Sequence, residues 1–191
     1  MDLAVWLSAP LTLVGVWLGG FLSSRAQDRT WKREQSQLSR DVRRAVYSRL
    51  VATVRQYRSY VVGPHAQVDV WLWDDPGGRR LAPGIGADGA TYQEAMEASF
   101  TEVLMVAEDQ ETIDRAHFLT GMARRTAVAR AIYGSDQIPN NVDGALFVAE
   151  RSFIECARRD LGLPVMDRDP HPRSQELIDI DAHFMRAYRD E

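Results

Sequence analysis

A run of twenty residues without an ionisable side chain, Leu3–Leu22 (LAVWLSAPLTLVGVWLGGFL), constrains this chain more than any other feature. As an α-helix rising about 1.5 Å per residue, the run covers the roughly 30 Å hydrocarbon core of a bilayer. A helix satisfies its own backbone hydrogen bonds in lipid, and membrane helices tolerate the kink that Pro10 introduces. Trp6 and Trp17 lie toward the two ends, as in an aromatic belt. The run therefore predicts a transmembrane anchor over residues 1–24.

A signal peptide and a buried core helix are the alternatives to this anchor. A signal peptide has a basic start and an apolar run of about 7 to 15 residues. This chain starts with Met1 and Asp2, and its run is longer. A core helix rarely excludes every charge over such a length, so a spanning anchor is favoured.

Basic residues directly after the run orient the anchor, because positive side chains stay on the cytoplasmic side of a membrane. They are Arg25, Arg29, Lys32 and Arg33, and we expect them to contact the membrane surface. The expected protein is single-pass in the cell membrane, with its N-terminus outside and residues 25–191 as a cytoplasmic domain. The single Cys156 suits that reducing compartment.

Small side chains recur at four-residue spacing within the run, at Gly15, Gly19 and Ser23. This spacing places them on one helix face, where a second helix can approach closely. The alternatives are self-association of two copies through this face and a chance pattern of residues that are common in membrane helices.

Charge is divided unevenly along the chain. Residues 25–60 carry ten basic and three acidic side chains, whereas residues 61–191 are acidic by ten charges, and the whole chain has a formal net charge of -4. Near anionic headgroups each basic residue contributes on the order of 1 kcal/mol to membrane attraction. Membrane lipid is therefore the expected partner of the basic segment, and no nucleic acid is expected against an acidic domain.

The remainder predicts an all-α fold in which the anchor continues into a long basic helix packed in an antiparallel bundle. Residues 24–62 contain no Gly or Pro, and their apolar side chains form one helical stripe. The stripe consists of Leu38, Val42, Val46, Leu50, Val54, Tyr57 and Val61. Three later helices are predicted: one from a capping box at Thr91, one from near Asp109 to Gly134, and one that begins after Asn140-Asn141 and ends before Gly162. Ser174 begins a last short helix with Leu177, Ile180, Phe184 and Tyr188.

Residues 63–89 interrupt the helical pattern with six Gly and three Pro, which predicts a loop inserted in the bundle. Alternation around Val70 allows a short hairpin there, which would have to rest on the helices to be stable. Trp71 and Trp73 within this loop are candidate contacts to a protein partner. They could equally fold back over the open end of the bundle.

The segment Val103–Ala116, the segment Phe153–Gly162 and the basic-helix residues Arg40, Arg43, Tyr47 and Leu50 resemble those of uncharacterised bacterial single-span membrane proteins with a cytoplasmic helical bundle. The resemblance extends loosely over residues 1–162 and implies location and fold. It implies no activity.

No pattern of reactive residues indicates chemistry. Gly84, Gly86 and Gly89 form a GxGxxG, but a dinucleotide site also needs a preceding strand and a parallel sheet, so a flexible turn is favoured. The four histidines form no HExxH, and Asp167, Asp169, His171, Asp179 and His183 suggest at most a weak metal site. No GxSxG frames a nucleophile, and Cys156 has no activating neighbours. We expect no catalytic residue, cofactor or metal.

The favoured function is a membrane-anchored scaffold or regulator that acts through protein contacts, with an unknown protein partner or a second copy. An unrecognised hydrolase and a membrane-oligomerising effector are the alternatives. A hydrolase would require Asp, Glu and His side chains that are distant in sequence to converge in one pocket.

Overall fold

The computed structural model describes residues 31, 34–75, 78–134 and 137–164, and the side chains of residues 73–80 are not part of that description. The predicted anchor, its small residues Gly15, Gly19 and Ser23, and the basic residues Arg25, Arg29, Lys32 and Arg33 lie outside the described residues. So does the helix predicted after Ser174. Among the described helices, none combines the length and the apolar character that crossing a membrane requires.

The described chain is mostly helical, as predicted, with one small sheet. Helix α1 covers residues 34–61. Strands β1 (Val68–Asp75) and β2 (Gly78–Ile85) follow, and then helices α2 (Ala87–Val106), α3 (Gln110–Tyr133) and α4 (Asn140–Asp160). The sheet corrects the prediction of a purely α-helical domain.

The chain divides into two units, residues 1–42 and residues 43–191. In the first unit the described side chains from residue 34 to residue 42 are exposed, including Leu38 at 67% and Val42 at 47%. In the second unit the predicted stripe is buried at Leu50, Val54, Tyr57 and Val61. The stripe on α1 was therefore predicted correctly for the second unit, and wrongly as a buried surface for its first two members.

Helix α3 forms the centre of the second unit, where it packs against α4, α2 and both strands. Its buried face includes Ala116, Ala123 and Ala127, whose small side chains let neighbouring elements approach closely. Buried threonine hydroxyls are satisfied within the helix: Thr126 donates to the carbonyl of Met122 at 3.1 Å. This side-chain bonding to the preceding turn removes the cost of burying a hydroxyl in an apolar core.

The segment predicted as a loop contains an antiparallel hairpin. Its register pairs Val68 with Ile85 at the open end and Asp75 with Gly78 at the turn. The inward side chains of Val68, Val70, Leu81 and Ile85 pack partly buried against the core. The structure decides for the hairpin that the sequence left open and against an irregular loop, because alternating apolar residues outweigh Gly and Pro when one face can rest on a helix.

Helix ends follow the sequence at Asp109, Gly134 and Gly162 but not at Thr91. The Asp109 carboxylate accepts from the backbone N–H of Glu111 at the start of α3, and Gly134 ends that helix with φ 79°. The capping box at Thr91 was wrong, because α2 begins four residues earlier, after Gly86. The backbone N–H of Gly86 bonds to the carbonyl of Gln67, so the chain enters the helix directly from β2.

Candidate functional site: a groove between α1 and α4

A buried polar cluster joins α1 to the end of α4. The Tyr47 hydroxyl donates to the Asp160 carboxylate at 2.5 Å, and the Arg43 guanidinium bonds to the same oxygen at 3.2 Å. The side chains of Arg43 and Asp160 are only 8% and 3% exposed. Removing one partner of such a buried pair is costly, since it leaves an uncompensated charge. The cluster therefore fixes where α1 lies against α4.

The Tyr47 hydroxyl stays protonated and can therefore donate a hydrogen bond. Burial raises the pKa of Tyr47 well above its ordinary value, and the hydrogen bond to Asp160 raises it further. Glu108 pairs with Arg43 from the solvent side at 3.0 Å, so the guanidinium faces two carboxylates. Arg43 Nε has no hydrogen-bond partner among the described residues, but the other polar groups of the cluster bond to one another, and we assign the cluster a structural role.

Further ion pairs connect the basic helix to acidic residues elsewhere in the fold. Arg55 pairs with Glu150 and Arg58 with Asp143, both on α4. Arg49 pairs with Glu102 on α2 at 2.8 Å. Each exposed pair contributes little to stability. Together they show that part of the charge asymmetry in the sequence is matched inside the fold, where the positive helix meets a negative surface of its own domain.

An open groove of about 550 Å³ lies between α1 and α4. Its α1 wall is one helix face, spaced at three and four residues: Arg44, Tyr47, Ser48, Val51, Ala52 and Arg55. Its α4 wall and the residues that follow are Phe153, Ile154, Ala157, Arg158, Leu161 and Leu163. The two helices run antiparallel, since Arg43 contacts Asp160 whereas Arg58 contacts Asp143.

The end of α4 shapes one end of this groove. Gly162 adopts φ 69°, a conformation that suits glycine, and Leu163 donates its backbone N–H to the carbonyl of Arg158 at 2.8 Å. These are the bonds of a Schellman motif, which reverses the chain at a helix end. The Arg158 guanidinium then donates to the Pro164 carbonyl at 2.9 Å. The Schellman motif, which depends only on neighbouring residues, therefore places the exposed Leu163 at the groove.

The groove is apolar at its base and positive at its rim. Arg44 makes no ion pair or side-chain hydrogen bond within the described residues. Arg158 bonds only to a neutral carbonyl there, so it keeps its full charge. Arg55 is paired with Glu150. The arrangement suits an apolar ligand that carries negative charge along its edges.

The lining of this groove does not suit general acid–base chemistry, because the described lining residues include no His, Asp, Glu or Cys. The Tyr47 hydroxyl is bonded to the buried Asp160 carboxylate of the structural cluster, and the Ser48 hydroxyl has no His, Asp or Glu beside it in this lining. In the described ranges no group of three His, Cys, Asp or Glu side chains could hold a metal ion. The residues suggested for a weak metal site, from Asp167 to His183, lie outside those ranges.

The GxGxxG glycines serve packing. A Cβ atom on Gly89 would lie 2.2 Å from the Tyr60 ring and 2.4 Å from a methyl group of Ile85. A Cβ atom on Gly86 would lie 2.9 Å from the Gln67 side chain. The preceding strand belongs to an antiparallel hairpin, whereas a dinucleotide fold needs a parallel sheet. These glycines let α1, β2 and α2 meet closely.

Trp71 lies on the outer face of the hairpin and is 55% exposed. A Cβ atom on Gly84 would lie 3.3 Å from its ring, so the glycine at this position leaves room for the indole. Its role as a partner contact stays a prediction. The side chain of Trp73 lies outside the described part of the structure.

The isolated cysteine and histidine candidates have ordinary surroundings. Cys156 is buried at 2% exposure, and burial raises the pKa of its thiol, although the Arg159 guanidinium 2.9 Å away acts in the opposite direction. A raised pKa disfavours the reactive thiolate. His117 is exposed and lies beside the Phe100 ring, with 5.9 Å between the ring centres.

Comparisons of the chain with known protein families, curated proteins and solved structures found no match. The resemblance to single-span membrane proteins therefore stays a prediction.

The sequence analysis missed the groove. Tyr47, Val51 and Ala52 form a second apolar face of α1, beside the main stripe. The small residues Ser48 and Ala52, spaced by four on this face, were the available signal. Their importance depends on α4 lying opposite, which is not visible in the sequence.

Proposed function

We propose that this protein is a membrane-anchored module that acts as a scaffold or regulator by binding a helix in the groove between α1 and α4. The groove carries the proposal. Its two walls are parallel stripes on antiparallel helices, and its base is apolar along about three turns of α1. Amphipathic helices bind in grooves of this kind through residues spaced by three, four and seven positions.

The charge of the rim indicates the chemistry of the bound helix. Neither Arg44 nor Arg158 pairs with a carboxylate among the described residues. Acidic side chains beside the apolar stripe of a partner would therefore be favoured there. Basic partners would be repelled. The predicted anchor over residues 1–24 would concentrate the module at the cytoplasmic face of a membrane, together with partners that are held there.

Site-specific photocrosslinking of the full chain in native membranes tests this function. A photoreactive amino acid at Ser48 should form adducts with another protein, and the same amino acid at the exposed Glu94 on α2 is the matched control. Ala52→Glu places a negative charge in the groove and should reduce the adducts at position 48. Equal adducts at the two positions, or adducts unaffected by Ala52→Glu, would contradict the proposal.

A further inference from the structure

We infer that residues 174–191 of this chain bind in the α1–α4 groove as a cis helix and compete there with a partner helix. This inference rests on the proposed function only in taking the groove to be a helix-binding site. It names an occupant and a mode of regulation, because a segment that fills the groove blocks a partner from entering it.

The first support is the position at which the described chain ends. Leu161 and Leu163 line the groove, and Arg158 holds the Pro164 carbonyl beside the end of α4. The chain therefore leaves the described structure at the groove itself. The nine residues 165–173 can extend about 30 Å at roughly 3.3 Å each. The groove covers about 16 Å along α1 between Arg44 and Arg55, so the tether is long enough.

The second support is the amphipathic pattern of residues 174–191. Leu177, Ile180, Phe184 and Tyr188 are spaced by three, four and four residues, which places them on one helix face. Ser174 suits the N-cap position of such a helix. Pro170 and Pro172 in the tether favour an extended or turning chain before it. A chain that reverses there returns along α4, with its apolar stripe available to the groove.

The third support is charge complementarity. On a helix of 3.6 residues per turn, Glu176 and Asp181 lie on the two flanks of the apolar stripe, whereas Arg186 lies on the opposite side. The acidic flanks would therefore meet Arg44 and Arg158 at the rim, while Arg186 faces solvent together with Asp179 and Asp190. A helix with the reverse arrangement would place arginines against arginines.

Tethering gives this cis helix an advantage over a partner in solution, because a linker of this length keeps the helix near the groove at an effective concentration of order millimolar. A partner must then bind more tightly, or be concentrated at the membrane, before it displaces residues 174–191.

The test again uses the photoreactive amino acid at position 48 in the full chain. The expected crosslink joins position 48 to the cis helix within one chain. After trypsin digestion of the single-chain band, mass spectrometry should find the peptide of residues 45–49 joined to the peptide of residues 174–186. Phe184→Asp should reduce this intramolecular adduct about tenfold, since it removes one buried apolar anchor. Ala182→Asp adds the same charge on the opposite helix side and should leave the adduct unchanged.

The outcomes separate the two proposals. Absence of the intramolecular adduct, equal loss in both variants, or the same peptides joined between two copies would overturn the cis helix. If adducts with other proteins still form at position 48, the proposed function stands while this inference fails. If the intramolecular adduct forms but Phe184→Asp releases no intermolecular adduct, the inference stands and the proposed function fails.

Discussion

Two tyrosines of α1 have buried hydroxyl groups, one without a hydrogen-bond partner among the described residues and one bonded to a carboxylate. The Tyr57 hydroxyl has no hydrogen-bond partner among the described residues, and its side chain is fully buried. The Tyr47 hydroxyl donates to the Asp160 carboxylate at 2.5 Å. A buried polar group without a partner costs free energy, whereas a buried donor bonded to a carboxylate stabilises the fold.

We expect Tyr57→Phe to leave the free energy of unfolding unchanged or to raise it by up to about 1 kcal/mol, because it removes an unsatisfied hydroxyl. Tyr47→Phe is the matched control and should lower it by about 1 to 2 kcal/mol, because the Asp160 carboxylate loses a donor. Urea unfolding of the full chain in detergent, followed by tryptophan fluorescence, measures both. A larger loss for Tyr57→Phe than for Tyr47→Phe would contradict the assignment.

Alkaline pH should enlarge the difference between Tyr57→Phe and the natural chain. Burial raises the pKa of Tyr57 above its ordinary value of about 10, so the folded chain keeps this hydroxyl protonated while the unfolded chain ionises it. The resulting stability is complete below pH 10 and is lost as the pH rises further. About one unit above that value, the natural chain should lose roughly 1.4 kcal/mol more than Tyr57→Phe.

The elements α1, β2 and α2 meet at a point where only glycine fits. Tyr60 of α1 lies over Gly89 and stacks on Tyr92, with 5.3 Å between ring centres. Its hydroxyl accepts from the backbone N–H of Gln67 at 3.4 Å. The ring is therefore held from two sides, and a side chain on Gly89 would have to displace it.

We expect Gly89→Ala to lower the free energy of unfolding by about 1 to 3 kcal/mol, as overpacking does in a filled core. Gly144→Ala in α4 is the matched control, since its Cβ atom would meet nothing within 4 Å. That change should raise stability by about 0.5 to 1 kcal/mol, because alanine is the better helix former. Thermal unfolding of both variants measures the contrast. Equal effects would show that the contact with Tyr60 is not tight.

For the whole molecule, the central expectation is the membrane anchor. We expect the full chain to remain in the membrane pellet after alkaline carbonate extraction, because residues 3–22 match the hydrocarbon thickness of a bilayer. Deletion of residues 3–22 should release the chain to the supernatant. Protease added outside intact cells should leave residues 25–191 undigested, since the basic flank predicts a cytoplasmic domain. Extraction of the full chain by carbonate would contradict the anchor.

The charge distribution also has a meaning for the whole molecule. The sequence separates a basic segment from an acidic one, and the fold brings parts of them together through Arg49, Arg55 and Arg58. The arginines of α1 from residue 43 onward pair with the domain or line the groove. A role of Arg25, Arg29, Lys32 and Arg33 at the lipid surface stays a prediction, because these residues lie outside the described part of the chain.

The amino-acid sequence by itself determined the elements that follow local rules. Helical spacing predicted the long helix and the helices after it, and Asp109, Gly134 and Gly162 marked helix ends correctly because caps depend on neighbouring residues alone. Charge and hydropathy predict the anchor, and this stays a prediction because residues 1–24 lie outside the described part of the chain. The sequence left a hairpin open as an alternative to a loop but did not decide between them, because two strands become stable only against another element such as α3.

Tertiary structure alone decided the groove, the buried cluster and the purpose of the glycines. Arg43 and Asp160 are separated by 117 positions, and the sequence contains no mark that pairs them. Tyr47, Val51 and Ala52 become a binding surface only because α4 lies antiparallel beside them. Gly84, Gly86 and Gly89 matched a nucleotide motif, yet the side chains that approach them come from Trp71, Gln67 and Tyr60. Contacts between distant segments depend on how whole elements pack, which local spacing does not specify.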